Sequence, residues 1–379
     1  MSTPPTAPLR LRPPTLSAAR RPLASTVGAL ALRAAWSARN PGQALALALP
    51  PAPERLFYVS ADGWESPLLR LRPSGDQPGE PVVLAHGLGS GQRSFDLHAD
   101  SLARALQRAG YDVFLLAHRG DEGARPPAAT GGGFDFDDIV THDVPAALDR
   151  ILAACGATRA LWVGHALGGQ LAYAHAARAG TEQLAALITL CAPVSFASPR
   201  SHARLAAHAA RMLPTGWRVP TRRLQAALAP FGGEHLHQDL APDADLDAVR
   251  SLMLHGSADL PLGLARQAAT WLLAGTLCDR DDRVDYIAGL CGLNLPLLAV
   301  VADADPLCSA AAARPAVEAL ADGDAQLLTL EPGWGHLDVL IGRRAADALF
   351  PKLQAWLQPH RARCWTERVA PRGRNPSSM

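Results

Sequence analysis

The segment Leu161-Trp-Val-Gly164-His165-Ala166-Leu167-Gly168-Gly169 carries the strongest chemical signal in the chain. An apolar strand runs into a tight turn and out into a helix. The glycines at 164 and 168 flank residue 166 at the G-x-S-x-G spacing of a turn that lifts a nucleophile above a sheet. Small residues are required there because strand and helix backbones meet around a strained turn. The turn displays residue 166 at a helix N-terminus, which favours negative charge. Acyl transfer at such a turn needs an oxygen or sulfur that a base can deprotonate. Position 166 is alanine, whose methyl group offers neither. Three other segments hold reactive residue types: His86-Gly87-Leu88-Gly89, Asp303-Ala304-Asp305, and Gly333-Trp334-Gly335-His336-Leu337-Asp338.

Alternating elements must position these segments. Leu56–Ser60 and Pro67–Leu71 read as antiparallel strands around the Asp62-Gly63 turn. Pro81–Ala85, Asp112–Ala117, Ala160–Gly164 and Leu184–Leu190 read as buried strands. Helical spacing covers Ser94–Ala109, Phe136–Ala154 and Leu167–Arg178, each stopping at or near a glycine. The rhythm predicts a mainly parallel sheet covered on both faces. It breaks from Pro193 to Asn294, where helical segments but no clear strand occur: Arg200–Met212, Thr221–Ala229, Asp245–Leu254 and Leu262–Leu277. It returns with the strand Leu295–Val301, a helix near Ala310–Ala321, the strand Gln326–Leu330 and the helix Arg343–Leu357. The expected organisation is therefore an arm over residues 1–54, a core in two parts over 55–192 and 295–359, a helical cap over 193–294 and a disordered tail over 360–379. A cap inserted there would roof a site above the strand ends.

Four motifs, in this order and on these elements, resemble the α/β-hydrolase superfamily, in particular its lipase and esterase branch. The resemblance covers roughly Arg55 to Leu357. It implies the α/β-hydrolase fold and an oxyanion hole formed by the backbone N–H groups of Leu88 and Leu167. It implies that Asp305, or less well spaced Asp303, is the acid and His336 the base. Ala166 then stands at the nucleophile position, and His86, Gly87 and His165 flank the pocket. The elbow alone is also similar to that of aminoacrylate hydrolases of pyrimidine breakdown, which carry alanine in a G-H-A-L-G turn.

No neighbour obviously replaces the missing hydroxyl. Ser90 is expected to bond backbone or substrate, and Cys191 to pack in the core. His86 and His165 divide evenly between pocket and structural roles. Arg119 is expected to pair with the acidic run Asp135–Asp138. Glu234-His235-Leu236-His237 lacks a third ligand at metal-site spacing, so no metal is expected.

Composition bounds the remaining possibilities. A net charge of +1 gives no field for nucleic acid. No apolar run reaches the roughly 20 residues that span a bilayer. The six cysteines form no C-x-x-C pair or disulfide framework, which suits a cytoplasmic location. No acid precedes Glu54, and Arg20-Arg21 precedes a mostly apolar stretch interrupted by Arg33. This reads as a proline-rich arm leading into an amphipathic helix around Ala24–Ala38, with weak membrane-surface contact, in preference to a cleaved signal.

Three functional readings follow. An acid–base pair and an oxyanion hole can hydrolyse an ester or related acyl bond with activated water, without a covalent intermediate or cofactor. A pseudoenzyme would bind an acyl ligand or a partner protein in the same pocket. An ordinary serine esterase with its serine replaced would show the same residues. The expected ligand in each case carries a carbonyl and an apolar portion.

Overall fold

The computed structural model describes residues 49–365, apart from 75–78, 128–132, 197–200, 230–236, 239, 321–323 and the side chains of 201–203. The expectations for the N-terminal arm before residue 49, for Glu234–Leu236 and for the tail after residue 365 lie outside the described residues.

Ten strands follow one another along the chain: β1 (Glu54–Val59), β2 (Glu65–Leu71), β3 (Pro81–Ala85), β4 (Asp112–Leu116), β5 (Ala160–His165), β6 (Leu184–Leu190), β7 (Arg218–Val219), β8 (Leu260–Pro261), β9 (Leu297–Ala302) and β10 (Ala325–Leu330). Eight of them form one sheet in the order β1-β2-β4-β3-β5-β6-β9-β10. Pairing is antiparallel from β1 to β4 and parallel through the rest. The β3 sequence Pro-Val-Val-Leu-Ala is buried at every position, as a strand covered on both faces requires. The chain leaves β3 for β4 on one side and later returns to β5 on the other. This reversal opens a crevice at the C-terminal ends of β3 and β5, where open α/β sheets take ligands.

The α-helices of six or more described residues are α1 (Leu102–Arg108), α2 (Val144–Cys155), α3 (Leu167–Ala179), α4 (Ser201–Ala210), α5 (Thr221–Leu228), α6 (Leu246–Ser251), α7 (Leu262–Ala274), α8 (Ala310–Ala319) and α9 (Phe350–Leu357), of which α1, α2, α3 and α8 pack on strands of the large sheet. The expected helix Ser94–Ala109 is divided. The Ser101 hydroxyl accepts the N–H groups of Leu97 and His98, which closes a turn ahead of α1. Between β6 and β9 lie α4 to α7, as expected, but this region also contains a strand pair. β7 and β8 match Arg218 with Pro261 and Val219 with Leu260. The pair is too short for alternation to reveal it, and Pro261 removes a ladder donor.

The tail is corrected over residues 360–365. Gln358–Trp365 forms a 3-10 helix with Cys364 buried. The Cys364 carbonyl accepts the N–H groups of Thr158 and Arg159, and Arg361 pairs with Glu80. The apolar Cys364 and these two anchors outweigh the polar composition that pointed to disorder. Among the described residues, no helix is long and apolar enough to cross a membrane.

His175 in α3 is 3% exposed, and its Nδ1 has no partner among the described residues. Burial pushes its pKa down to about 4 from 6.5. A folded pKa below the unfolded one gives stability that is present above pH 6.5 and lost as pH falls toward 4. The expected loss is about 3 kcal/mol for a shift of this size. His175→Leu should flatten the acid limb of stability, read as urea midpoints between pH 7 and 4. An unchanged limb would show that His175 is not its source.

Candidate active site

The residues at the end of β5 make the turn that the glycine spacing demands. Ala166 has φ 46° and ψ −112°, a left-handed conformation that an alanine adopts only under constraint. Its N–H is held by the Leu190 carbonyl, and its carbonyl accepts from Gly169 and Gln170. The flanking glycines make this possible. A Cβ on Gly164 would lie 2.4 Å from the Gly168 backbone, and one on Gly168 would lie 2.0 Å from the Ala85 carbonyl. The Trp162 indole donates to the Gly168 carbonyl at 3.0 Å and closes the turn from below.

Across the crevice, His336 places Nδ1 2.7 Å from Asp305 Oδ2. Burial pushes the Asp305 carboxyl up, but the His336 hydrogen bond, the His336 charge and the Leu307 amide outweigh it and hold the pKa below the ordinary value. Asp303 has a different task. Its two oxygens accept the N–H groups of Gly333 and Trp334, so it shapes the loop that carries His336. Asp338, fully buried, braces the same loop by accepting from Gly335 and Asp243. Asp305 is thus the carboxylate that meets His336, as the spacing suggested.

His165 ties the two halves together. Its Nε2 lies 3.1 Å from the His336 carbonyl, so that nitrogen carries the hydrogen and donates. Burial, then the nearby His336, drives the His165 pKa down to about 3, which keeps the ring neutral. Leu88 and Leu167 follow β3 and the turn respectively. Among the described residues no acceptor takes their backbone N–H groups. The Gly87 carbonyl accepts from Ser90 N–H and faces His86 Nδ1, and this fixes the peptide whose N–H belongs to Leu88.

These groups share one cavity of about 460 Å³. Gly87, Leu88, His165, Ala166, Leu167 and His336 line it together with Phe196, Leu252, Leu264, Trp271 and Leu307. Most of this lining is apolar, with Gln170, Gln225, Ser90 and Ser257 as its polar spots. A groove of about 640 Å³ along Leu97, Asp245 and Phe350 shares none of this cavity's lining residues.

Two expectations are corrected. His86 does not line the cavity; it is 1% exposed and turns away to Asp121, 2.7 Å from its Nε2. Arg119 does not pair with the run Asp135–Asp138. It binds Asp143 and Asp62, because the π-helical turn Ile139–Asp143 brings Asp143 beneath it, while Arg280 takes the acidic run. Cys191 is buried as expected, yet it also reaches the site. It has φ 53° and its sulfur lies within 4.8 Å of the Asp305 and His336 ligating atoms; burial, then the Asp305 charge, pushes its pKa well above the ordinary value. His237 bonds the Ala244 carbonyl and serves a local turn.

The family described as alpha/beta hydrolase fold matches residues 80–342, more than half of the chain. The chain belongs to this family. Within it, human gastric triacylglycerol lipase is 33% identical over 133 residues, covering 32% of this chain and 33% of the lipase. The tear acid lipase-like protein of Mesocricetus auratus is 31% identical over 152 residues, covering 36% of this chain and 37% of that protein. The chain thus spans about a third of the length of these relatives. An esterase of Exiguobacterium antarcticum superposes with a TM-score of 0.56 at 17% identity, covering 80% of this chain and all of the esterase. The thioesterase domain of a curacin biosynthetic pathway does so with a TM-score of 0.54 at 17% identity, covering 81% of this chain and 99% of that domain. These structures share the fold.

For this α/β hydrolase, sequence reasoning missed the cavity-lining residues between β6 and β9, notably Trp271 and Leu264 of α7. Helical periodicity shows that α7 has an apolar face, but not what that face covers. Asp338 also went unread as a brace. Its position two residues after His336 was the available signal.

Proposed function

We propose that this α/β hydrolase cleaves an ester or related acyl bond with water activated by His336, without an acyl-enzyme. The observation that carries the reading is the 2.7 Å His336–Asp305 hydrogen bond facing a strained turn that holds alanine. Asp305 occupies Nδ1 and leaves Nε2 for the cavity. A water over the Ala166 methyl gives its proton to Nε2 while its oxygen bonds the substrate carbonyl carbon. The carbonyl oxygen becomes an oxyanion held by the N–H groups of Leu88 and Leu167. The intermediate then expels the leaving alkoxide, which takes the proton back from His336. The products are an acid and an alcohol. The apolar lining favours a substrate with a hydrocarbon portion beside its carbonyl, and the lipase relatives support that class.

The test is turnover of p-nitrophenyl acyl esters of graded chain length. The chain should exceed the buffer rate, and His336→Ala should lower its rate by about 10²–10⁴. Equal rates in both proteins would overturn water activation. Saturable quenching of Trp271 by an acyl amide, without turnover, would instead support the pseudoenzyme reading, which the Ala166 methyl favours.

A further inference from the structure

We propose that His86, His118 and Asp121 form a site for one divalent transition-metal ion, zinc foremost, behind the Leu88 loop. All three side chains are buried, at 1%, 5% and 8% exposure. One ligating atom from each lies within 4.8 Å of the other two. His86 directly follows β3; His118 and Asp121 follow β4. The ion would tie these two neighbouring strand ends together.

Hydrogen placement argues for a cation. His86 Nδ1 lies 3.0 Å from the Gly87 carbonyl, which can only accept, so Nδ1 carries the hydrogen. In the neutral ring Nε2 then has a lone pair, and it points at an Asp121 carboxylate oxygen 2.7 Å away. Two lone pairs that close need a positive centre between them. His118 poses the matching problem. Its Nδ1 is 3.3 Å from the Arg119 carbonyl and its buried Nε2 has no partner among the described residues. Either tautomer therefore leaves Nε2 unsatisfied. Metal-bound histidines usually donate their second nitrogen to a carbonyl or carboxylate, as His86 does here; the His118 nitrogen that faces Asp121 is Nδ1, 3.7 Å from Oδ2.

The size also suits a metal. Zinc holds nitrogen and oxygen ligands at roughly 2.0–2.2 Å, which places neighbouring ligands about 3 Å apart. A small opening of the His86–Asp121 contact reaches this. Asp121 also borders a cavity of about 170 Å³, through which an ion would reach its carboxylate; neither histidine lines that cavity. Two histidines and one carboxylate select zinc, iron or manganese over calcium.

The experiment is binding, so it succeeds or fails independently of the hydrolytic reading. Chelator-treated full-length protein is titrated with Zn²⁺ by calorimetry, then loaded with Co²⁺ for visible spectra and with ¹¹³Cd²⁺ for NMR. One equivalent should bind, with a cadmium shift typical of nitrogen and oxygen ligands. His118→Gln and Asp121→Asn should weaken binding at least 10- to 100-fold, whereas Cys191→Ser should leave it unchanged. Absence of stoichiometric binding would overturn the site and leave a proton between His86 and Asp121. A sulfur-type cadmium shift, or loss of binding in Cys191→Ser, would also overturn it, by assigning the ion to Cys191, Asp305 and His336. The wild-type cadmium spectrum decides the matter even if a variant fails to fold.

Discussion

Ala166→Ser should raise the turnover of p-nitrophenyl esters by about 10³-fold or more, with a ceiling near 10⁶. The upper figure is what removing the nucleophile costs a serine protease; the lower one allows for imperfect alignment of an unused hydroxyl. The turn already has the backbone that a nucleophile needs, at φ 46° and ψ −112°. Residue 166 borders the cavity, so one added oxygen meets no packed side chain. The double variant Ala166→Ser with His336→Ala should return to the starting rate or below. Burst kinetics with Ala166→Ser would show that an acyl-enzyme forms. No gain in a folded Ala166→Ser protein, across chain lengths, would mean that residue 166 does not face the reacting carbonyl, and the proposed roles would fall together.

The second large effect concerns the acid. In the Ala166→Ser background, Asp305→Asn should lower turnover by about 10⁴, the cost of presenting histidine with the wrong hydrogen-bond partner. Asp303→Asn should cost far less turnover and act mainly on stability, because Asp303 accepts only backbone N–H groups. Parallel rate and melting measurements on both variants decide between them. Equal losses of rate would mean that the loop, and not the Asp305–His336 pair, sets the chemistry.

The fold was legible because its signals are local. Five-residue apolar runs such as Pro81–Ala85 announce buried parallel strands, and glycines 164 and 168 mark a close backbone approach wherever they occur at that spacing. The Asp305–His336 contact was legible only through order and spacing, since 31 residues separate the two. What escaped notice was long-range. Arg119 meets Asp143 through a π-turn that no hydrophobic pattern encodes. The site includes Trp271 because one face of α7 lines the cavity, and amphipathicity records that a face is buried without naming its partner. The 3-10 helix Gln358–Trp365 is polar on average, and the docking of Cys364 beside Thr158 and the Arg361–Glu80 pair order it.

The strained turn has a genetic consequence. Its shape is enforced by glycine backbones and by Trp162, none of which depends on what residue 166 carries. Each alanine codon is one nucleotide away from a serine codon. A lineage holding this turn can therefore exchange a nucleophile for a methyl group, or recover it, by one point mutation and without refolding any part of the sheet.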